Sequence, residues 1–268
     1  MKIIRYQDAS GKIHFAAEQQ DGSYVRLEGD LFGALKSTAE TAVVRKILAP
    51  IVPEMIWCIG QNYRRHVAEV GMEVPKYPVV FAKGPSAVQN PNDPILVPSR
   101  AKTSELDYEG ELVVIIGKAC KDVQREQALE YVAGYTCGND VSARDWQLKM
   151  GGSQWCRGKS FDTFAPLGPC LVTSDTLPNP GALRIQTVVN GRTMQDGNTR
   201  DMIHDVPAII EFLSQSTTLL PGTAIFTGTP HGVGMGQTPP LWLKDGDEVS
   251  ITLEKIGTLT NPVRDVRS

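Results

Sequence analysis

Leu106-Asp107-Tyr108-Glu109-Gly110-Glu111-Leu112-Val113-Val114-Ile115-Ile116-Gly117-Lys118 is the stretch on which the reading of this chain turns. Its second half is an apolar run, β-branched at four of five positions and closed by Gly117-Lys118. A run this short and this apolar reads as a strand buried on both faces. Its first half places carboxylates at every second position: Asp107, Glu109 and Glu111. Residues two apart on a strand share a face, so the three acids are expected to project together. Like charges on one face repel unless something neutralises them. A hard divalent cation does so, because Mg²⁺ and Ca²⁺ prefer carboxylate oxygens. A solvated acidic strand face is the alternative, and the apolar continuation argues against it.

Outward from this strand, the chain is a succession of short strands separated by Gly/Pro turns. Strands are expected near residues 78–83, 95–97, 131–137, 169–173, 185–189, 224–227 and 248–253, with helical spacing at 125–132 and 206–214. Asn190-Gly191, Asp196-Gly197 and Asp245-Gly246 carry turn chemistry. The first fifty or so residues read as a separate unit. Residues 2–6 and 13–17 flank Asp8-Ala9-Ser10-Gly11 as a hairpin, residues 23–27 give a third strand, and a helix is expected over 41–48, ended by Pro50 and Pro53. The expectation is a β-rich α+β fold, a sandwich or roll, with a small N-terminal α/β unit at 1–54 and a larger domain at 55–268.

At 268 residues, the chain can bury one large core or one core with a small appendage. Hydrophobic content is 41% and charged content 21%, ordinary for a globular protein. A formal net charge of -3 without a basic run argues against a nucleic-acid surface, and no apolar stretch is long enough to cross a bilayer as a helix. The first residues lack the pattern of a secretory signal. Five cysteines, none closer than fourteen residues apart, fit neither a zinc framework nor a disulfide scaffold, so reduced thiols and a cytoplasmic location are expected.

Two further groups of residues carry chemistry. Asp140, in Asn139-Asp140-Val141-Ser142-Ala143-Arg144-Asp145, follows a strand-like run and is placed to complete a three-carboxylate site, or else to cap a turn. Spacing alone does not connect it to Glu109 and Glu111. In Gly60-Gln61-Asn62-Tyr63-Arg64-Arg65-His66-Val67-Ala68-Glu69-Val70-Gly71, His66 and Glu69 stand three apart, on one face of a helical turn. Glu69 would orient His66, which would then serve as a general base, and the bracketing glycines would let the segment close as a lid. A surface His–Glu pair is the bland alternative. His14 and His204 read as ordinary packing residues. The glycine-rich turn at 228–236 runs into Gln237-Thr238-Pro239-Pro240 rather than a helix, which argues against a phosphate cradle.

The acidic stretch resembles the metal-binding signature of the fumarylacetoacetate hydrolase family. Four further stretches match in order: Asn139-Asp140-Val141-Ser142-Ala143-Arg144-Asp145-Trp146-Gln147, Arg157-Gly158-Lys159-Ser160-Phe161-Asp162, Asn198-Thr199-Arg200-Asp201-Met202 and Thr227-Gly228-Thr229-Pro230-His231-Gly232-Val233-Gly234. The resemblance extends over roughly residues 55–262. It is nearest to the smaller branch of fumarylacetoacetate hydrolase domain-containing proteins, whose ending the segment 239–249 shares.

This resemblance implies a mixed β-sandwich roll, a homodimer, and Mg²⁺, Mn²⁺ or Ca²⁺ held by Glu109, Glu111 and Asp140. It implies a catalytic group of His66, Glu69, Lys159 and Gln147, with Lys83, Arg144 and Thr229 at the substrate. His231 stands where the family more often has a small residue, a departure that bears on the pocket wall. The expected substrate is a small keto or diketo acid that chelates the cation, which stabilises an enolate. Hydrolysis or decarboxylation through C–C cleavage ranks first. Enol–keto tautomerisation or dienedioate isomerisation ranks second, and a catalytically silent, metal-stabilised binding protein third.

Overall fold

The computed structural model describes residues 1–150 and 152–265. The expected central strand forms at Gly110–Ile116 and is buried at every position. It pairs antiparallel with Val132–Asn139 on one side and with Ala224–Phe226 on the other. Both backbone edges are therefore satisfied by neighbours, and both faces carry side chains that water does not reach. Leu112, Val113, Val114, Ile115 and Ile116 are each 0–1% exposed, and burial of this kind contributes roughly 1.5–3 kcal/mol per side chain.

From this centre the sheet runs outward in two directions. Through Ala224–Phe226 it continues to Ile56–Gly60 and Val79–Lys83. Through Val132–Asn139 it continues to Ala165–Thr173, then to Lys2–Gln7. The N-terminal strands Ile13–Glu18, Tyr24–Gly29 and Leu35–Thr41 extend the same sheet as a meander. A second sheet orders Arg192–Asn198, Arg184–Val189, Glu248–Leu253, Gly257–Asp265 and Ile95–Val97. The two sheets touch across the core, where Cys137 Sγ lies 3.4 Å from Gly257 O and Cys170 Sγ 3.5 Å from Ile256 O. All four of the buried cysteines are free thiols, as is the exposed Cys156.

The β-rich architecture is the one expected, and the helix at Val206–Ser214 forms with Asp205 capping it through the amide of Ala208. Three local expectations fail. The helix over 41–48 is absent. Leu35–Thr41 is a strand, and Lys46–Leu48 is another that pairs with Arg5, Tyr6 and Gln7. The segment holds Thr41, Val43, Val44 and Ile47, and the partner strand satisfies backbone groups that a short helix would have left to itself. Asp196-Gly197 is not a turn but lies inside Arg192–Asn198, paired with Gln186 and Ile185. A Cβ at Gly197 would lie 2.5 Å from Pro230 Cβ, so close approach explains the glycine. Finally, the acidic strand is not continuous: Leu106–Asp107 and Gly110–Ile116 are separate strands, broken at Tyr108 and Glu109.

Candidate active site

The register of the central pair explains how distant acids meet. Gly110 lies opposite Asn139, so the residue before one and the residue after the other are neighbours. The amide of Asp140 donates to Glu109 O at 2.9 Å, and the amide of Glu109 donates to Asn139 Oδ1 at 3.0 Å. Glu111, two residues into the strand, accepts from the amide of Gly228 at 2.7 Å. As a result Glu109, Glu111 and Asp140 present carboxylate oxygens within 4.8 Å of one another. All three are buried, at 6%, 2% and 1% exposed. Asp107, expected on the same face, is turned away by the break at Tyr108 and does not join them.

Two lysines and one arginine surround the cluster. Lys159 Nζ donates to Glu109 Oε2 at 2.7 Å, Asp140 Oδ2 at 2.7 Å and Ser142 Oγ at 2.6 Å. Lys83 Nζ donates to Asp140 Oδ1 at 2.6 Å and Val141 O at 3.1 Å. Arg144 bridges Glu109 at 2.5 Å and Asp107 at 2.8 Å, and its Nη1 donates to Gln147 Oε1 at 2.9 Å. Lys83 is thus a buried ion-pair partner behind Asp140 rather than a surface side chain, and it does not line the cleft.

The electrostatics are uneven. Burial and the neighbouring Asp140 and Glu109 push the Glu111 carboxyl well above the usual range. Burial would raise Glu109 too, but Arg144 and Lys159 outweigh it and hold that carboxyl low. For Lys159, burial is opposed by Asp140 and Glu109, which keep its ammonium group charged beyond the ordinary lysine range. With all four acids ionised, Asp107, Glu109, Glu111 and Asp140 carry one negative charge more than Lys83, Arg144 and Lys159 match, in keeping with the raised Glu111 carboxyl. Three converging oxygen ligands with a charge deficit fit a hard divalent cation and offer nothing to a soft one.

The cluster opens into a cleft. Its polar lining residues include His66, Glu109, Glu111, Asp140, Arg144, Gln147, Lys159 and Thr229; its apolar ones include Ile59, Phe81, Leu148 and Trp155. His66 comes from the helix Arg64–Glu69, and its Nδ1 lies 3.2 Å from Glu69 Oε2. An ionised carboxylate only accepts, so in the neutral imidazole this contact places the proton on Nδ1 and leaves the lone pair on Nε2. Glu69 is fixed in turn by the amide of Gly232, at 2.9 and 3.1 Å from its two oxygens.

Thr229 reaches the cleft, but its hydroxyl donates to Gly110 O at 3.0 Å and accepts from Gln195 at 2.8 Å. Its hydroxyl proton is therefore committed within the protein. His231 is not among the cleft's lining residues; its Nδ1 is buried without a hydrogen-bond partner, and burial, with Arg65 second, lowers its pKa. Sequence reasoning passed over Gln195, a fully buried amide that accepts from Gly110 N at 2.9 Å and from Thr187 at 2.7 Å while donating to Thr229 and Pro230 O. Nothing in its own neighbourhood signalled this, since a glutamine beside Asp196-Gly197 reads as a turn residue.

Comparison with known proteins agrees with this fold. The profile of the fumarylacetoacetate (FAA) hydrolase C-terminal domain matches residues 55–264. A fumarylacetoacetate hydrolase domain-containing protein 2 homolog of Dictyostelium discoideum is 48% identical over 82% of this chain and 74% of its own length. The mitochondrial oxaloacetate tautomerase fahd2 of Xenopus laevis is 47% identical over 81% of this chain and 68% of its own. The crystal structure of a 5-carboxymethyl-2-hydroxymuconate delta-isomerase from Mycobacterium smegmatis superposes with a TM-score of 0.86 at 40% identity, covering 99% of this chain and 100% of that one. The chain belongs to the fumarylacetoacetate hydrolase family. Among the described residues, no helix is long and apolar enough to cross a membrane.

Proposed function

We propose that this chain is a divalent-cation-dependent enzyme that interconverts the enol and keto forms of a small 2-oxo dicarboxylic acid, with oxaloacetate as the leading substrate. The observation that carries this reading is the convergence of Glu109, Glu111 and Asp140 at a cleft that His66 also lines. The tautomerase and isomerase among the similar proteins support proton relocation ahead of the C–C cleavage ranked first from sequence. Mg²⁺, or Mn²⁺ or Ca²⁺ in its place, held by the three carboxylates would supply Lewis-acid stabilisation of negative charge on the 2-oxo oxygen.

The chain's own groups do the rest. His66, with Nε2 unprotonated and Glu69 behind it, takes the proton from carbon or returns it. Lys159 spends its three N–H bonds on Glu109, Asp140 and Ser142, so it acts on the substrate as a fixed positive charge. Arg144 holds the oxygen of Gln147 and leaves that amide's NH₂ to orient a substrate oxygen. Lys83 supports Asp140, and Thr229 shapes the cleft floor through Gln195. The apolar wall limits access of water to the reacting carbon.

The same His66–Glu69 pair favours a second reading, hydrolysis, because a histidine with a free Nε2 can equally activate water. Ultraviolet assays with Mg²⁺ on oxaloacetate and acetylpyruvate separate the two, combined with product analysis. Enol–keto exchange consumes the enol of oxaloacetate without releasing a fragment, whereas hydrolysis converts acetylpyruvate and water to acetate and pyruvate. Glu109→Ala is expected to fall to background in either case. A folded wild type inactive on both compounds with Mg²⁺ and with Mn²⁺ sinks the proposal and leaves a silent binding protein.

A further inference from the structure

Asp107 is the one acid of the signature stretch that the cation cluster does not absorb, and it is 0% exposed. Its carboxylate is saturated by donors from three separate segments. Oδ1 accepts from the amides of Tyr108 at 2.8 Å and Gly234 at 2.7 Å; Oδ2 accepts from the amide of Met235 at 3.0 Å and from Arg144 Nε at 2.9 Å. A Cβ at residue 234 would lie 2.5 Å from Asp107 Oδ1 and would collide with Leu241 O, so only glycine lets the loop amide reach the acid.

Each of these contacts leads to a different half of the site. Arg144 continues to Glu109 Oε1 and to Gln147, both facing the cleft. The loop continues to Gly232, whose amide fixes Glu69 and whose carbonyl accepts from the Tyr108 hydroxyl at 3.0 Å. Glu69 in turn holds His66. A single buried carboxylate thus stands at the head of two arms, one ending on a cluster acid and the other on the histidine.

We infer that Asp107 is a positioning residue that sets the distance between the His66–Glu69 pair and the Glu109 carboxylate, acting through Arg144 on one side and the 232–236 loop on the other. It touches neither substrate nor cation. Replacing a group hydrogen-bonded to a metal ligand typically lowers affinity or activity about 10–100-fold, and Asp107 reaches Glu109 through Arg144, one contact further out. The inference rests on the cation-dependent reading of the site, and its test is chosen so that the two can fail separately.

Asp107→Asn keeps the size of the side chain and one acceptor oxygen but removes the charge opposite Arg144. Calorimetric titration with Mn²⁺ should show affinity weakened about tenfold, and kcat should fall about 10–100-fold with KM changed far less. Adding Glu69→Gln to Asp107→Asn should cost much less than Glu69→Gln costs alone, because both act on one arm. A folded Asp107→Asn protein with wild-type Mn²⁺ affinity and kcat overturns the role, as does strict additivity of the two substitutions. Should Asp107→Asn not fold, wild-type hydrogen exchange decides. Mg²⁺ alone should slow exchange at the amides of Gly234 and Met235, although neither belongs to a cluster residue. Wild type that binds Mg²⁺ without this slowing overturns the role of Asp107 alone. Wild type that binds no Mg²⁺ overturns the site reading and this role with it.

Discussion

Glu111 leaves a strand that is paired on both sides and buried along its whole length, whereas His66 rides a helix of six residues, Arg64–Glu69. The first support is part of the core: moving Glu111 means disrupting the sheet. The second has no cap from its own N-cap residue Tyr63 and is held from outside, by Asp201 accepting from the amide of Arg65 and by Glu69 accepting from the amide of Gly232. A helix so short has little intrinsic stability, so its position depends on such contacts. The difference teaches how the site divides its labour. Glu111 is built into the sheet, with Glu109 and Asp140 just beyond the strand ends beside it, whereas the group proposed to move a proton sits on a short helix outside the sheet.

Substitutions on the two supports should therefore behave differently. The largest effect is expected from Glu111→Ala, which removes a cluster carboxylate: turnover should fall at least about 10³-fold and calorimetric Mg²⁺ binding should vanish. If Glu111→Ala binds Mg²⁺ like wild type, the cluster is not the cation site. His66→Ala should cost about 10²-fold or more in turnover while Mg²⁺ binding stays unchanged, which would show that the two supports act independently on the cation. Loss of Mg²⁺ binding in His66→Ala would break that division.

Lys83→Met should act mainly on stability. It leaves Asp140 short of a buried partner, and breaking such a pair costs roughly 3–5 kcal/mol. Urea denaturation should show this loss in chelator, and Mg²⁺ should recover part of it by supplying charge at the same carboxylate. A Lys83→Met protein as stable as wild type in chelator would mean that the Lys83–Asp140 contact is energetically idle. The smallest effect on chemistry belongs to Ile115→Ala, at the heart of the rigid support. It should lower stability by about 2–5 kcal/mol while the folded fraction keeps its turnover.

How much of this was legible in sequence follows the same division. The central strand could be read because its signal is local: β-branched residues in a run closed by a glycine. The Asn190-Gly191 turn was legible for the same reason and joins Arg184–Val189 to Arg192–Asn198. Residues 41–48 were misread because Thr41 ends a strand paired with Tyr24–Gly29 and Lys46–Leu48 is held by Arg5–Gln7, far away in the chain. The grouping of Asp140 with Glu109 and Glu111 was reached by resemblance, since nothing near Asp140 reveals that the Gly110↔Asn139 register sets it beside Glu109. Asp107 shows the limit of periodicity. Its alternation with Glu109 and Glu111 is real in the sequence, but one break at Tyr108 sends it to Arg144 and the 232–236 loop. Lys83 was read as a substrate group, and its pairing with Asp140, like the role of Gln195, was hidden by burial that only the assembled sheets create.

The central claim is tested most directly by following loss of the oxaloacetate enol in chelator-treated protein, before and after Mg²⁺ is restored. The account predicts a rate near the uncatalysed background without the cation and recovery on its return, with no such recovery in Glu109→Ala. Full turnover in the chelated enzyme, unchanged by added Mg²⁺, would contradict it.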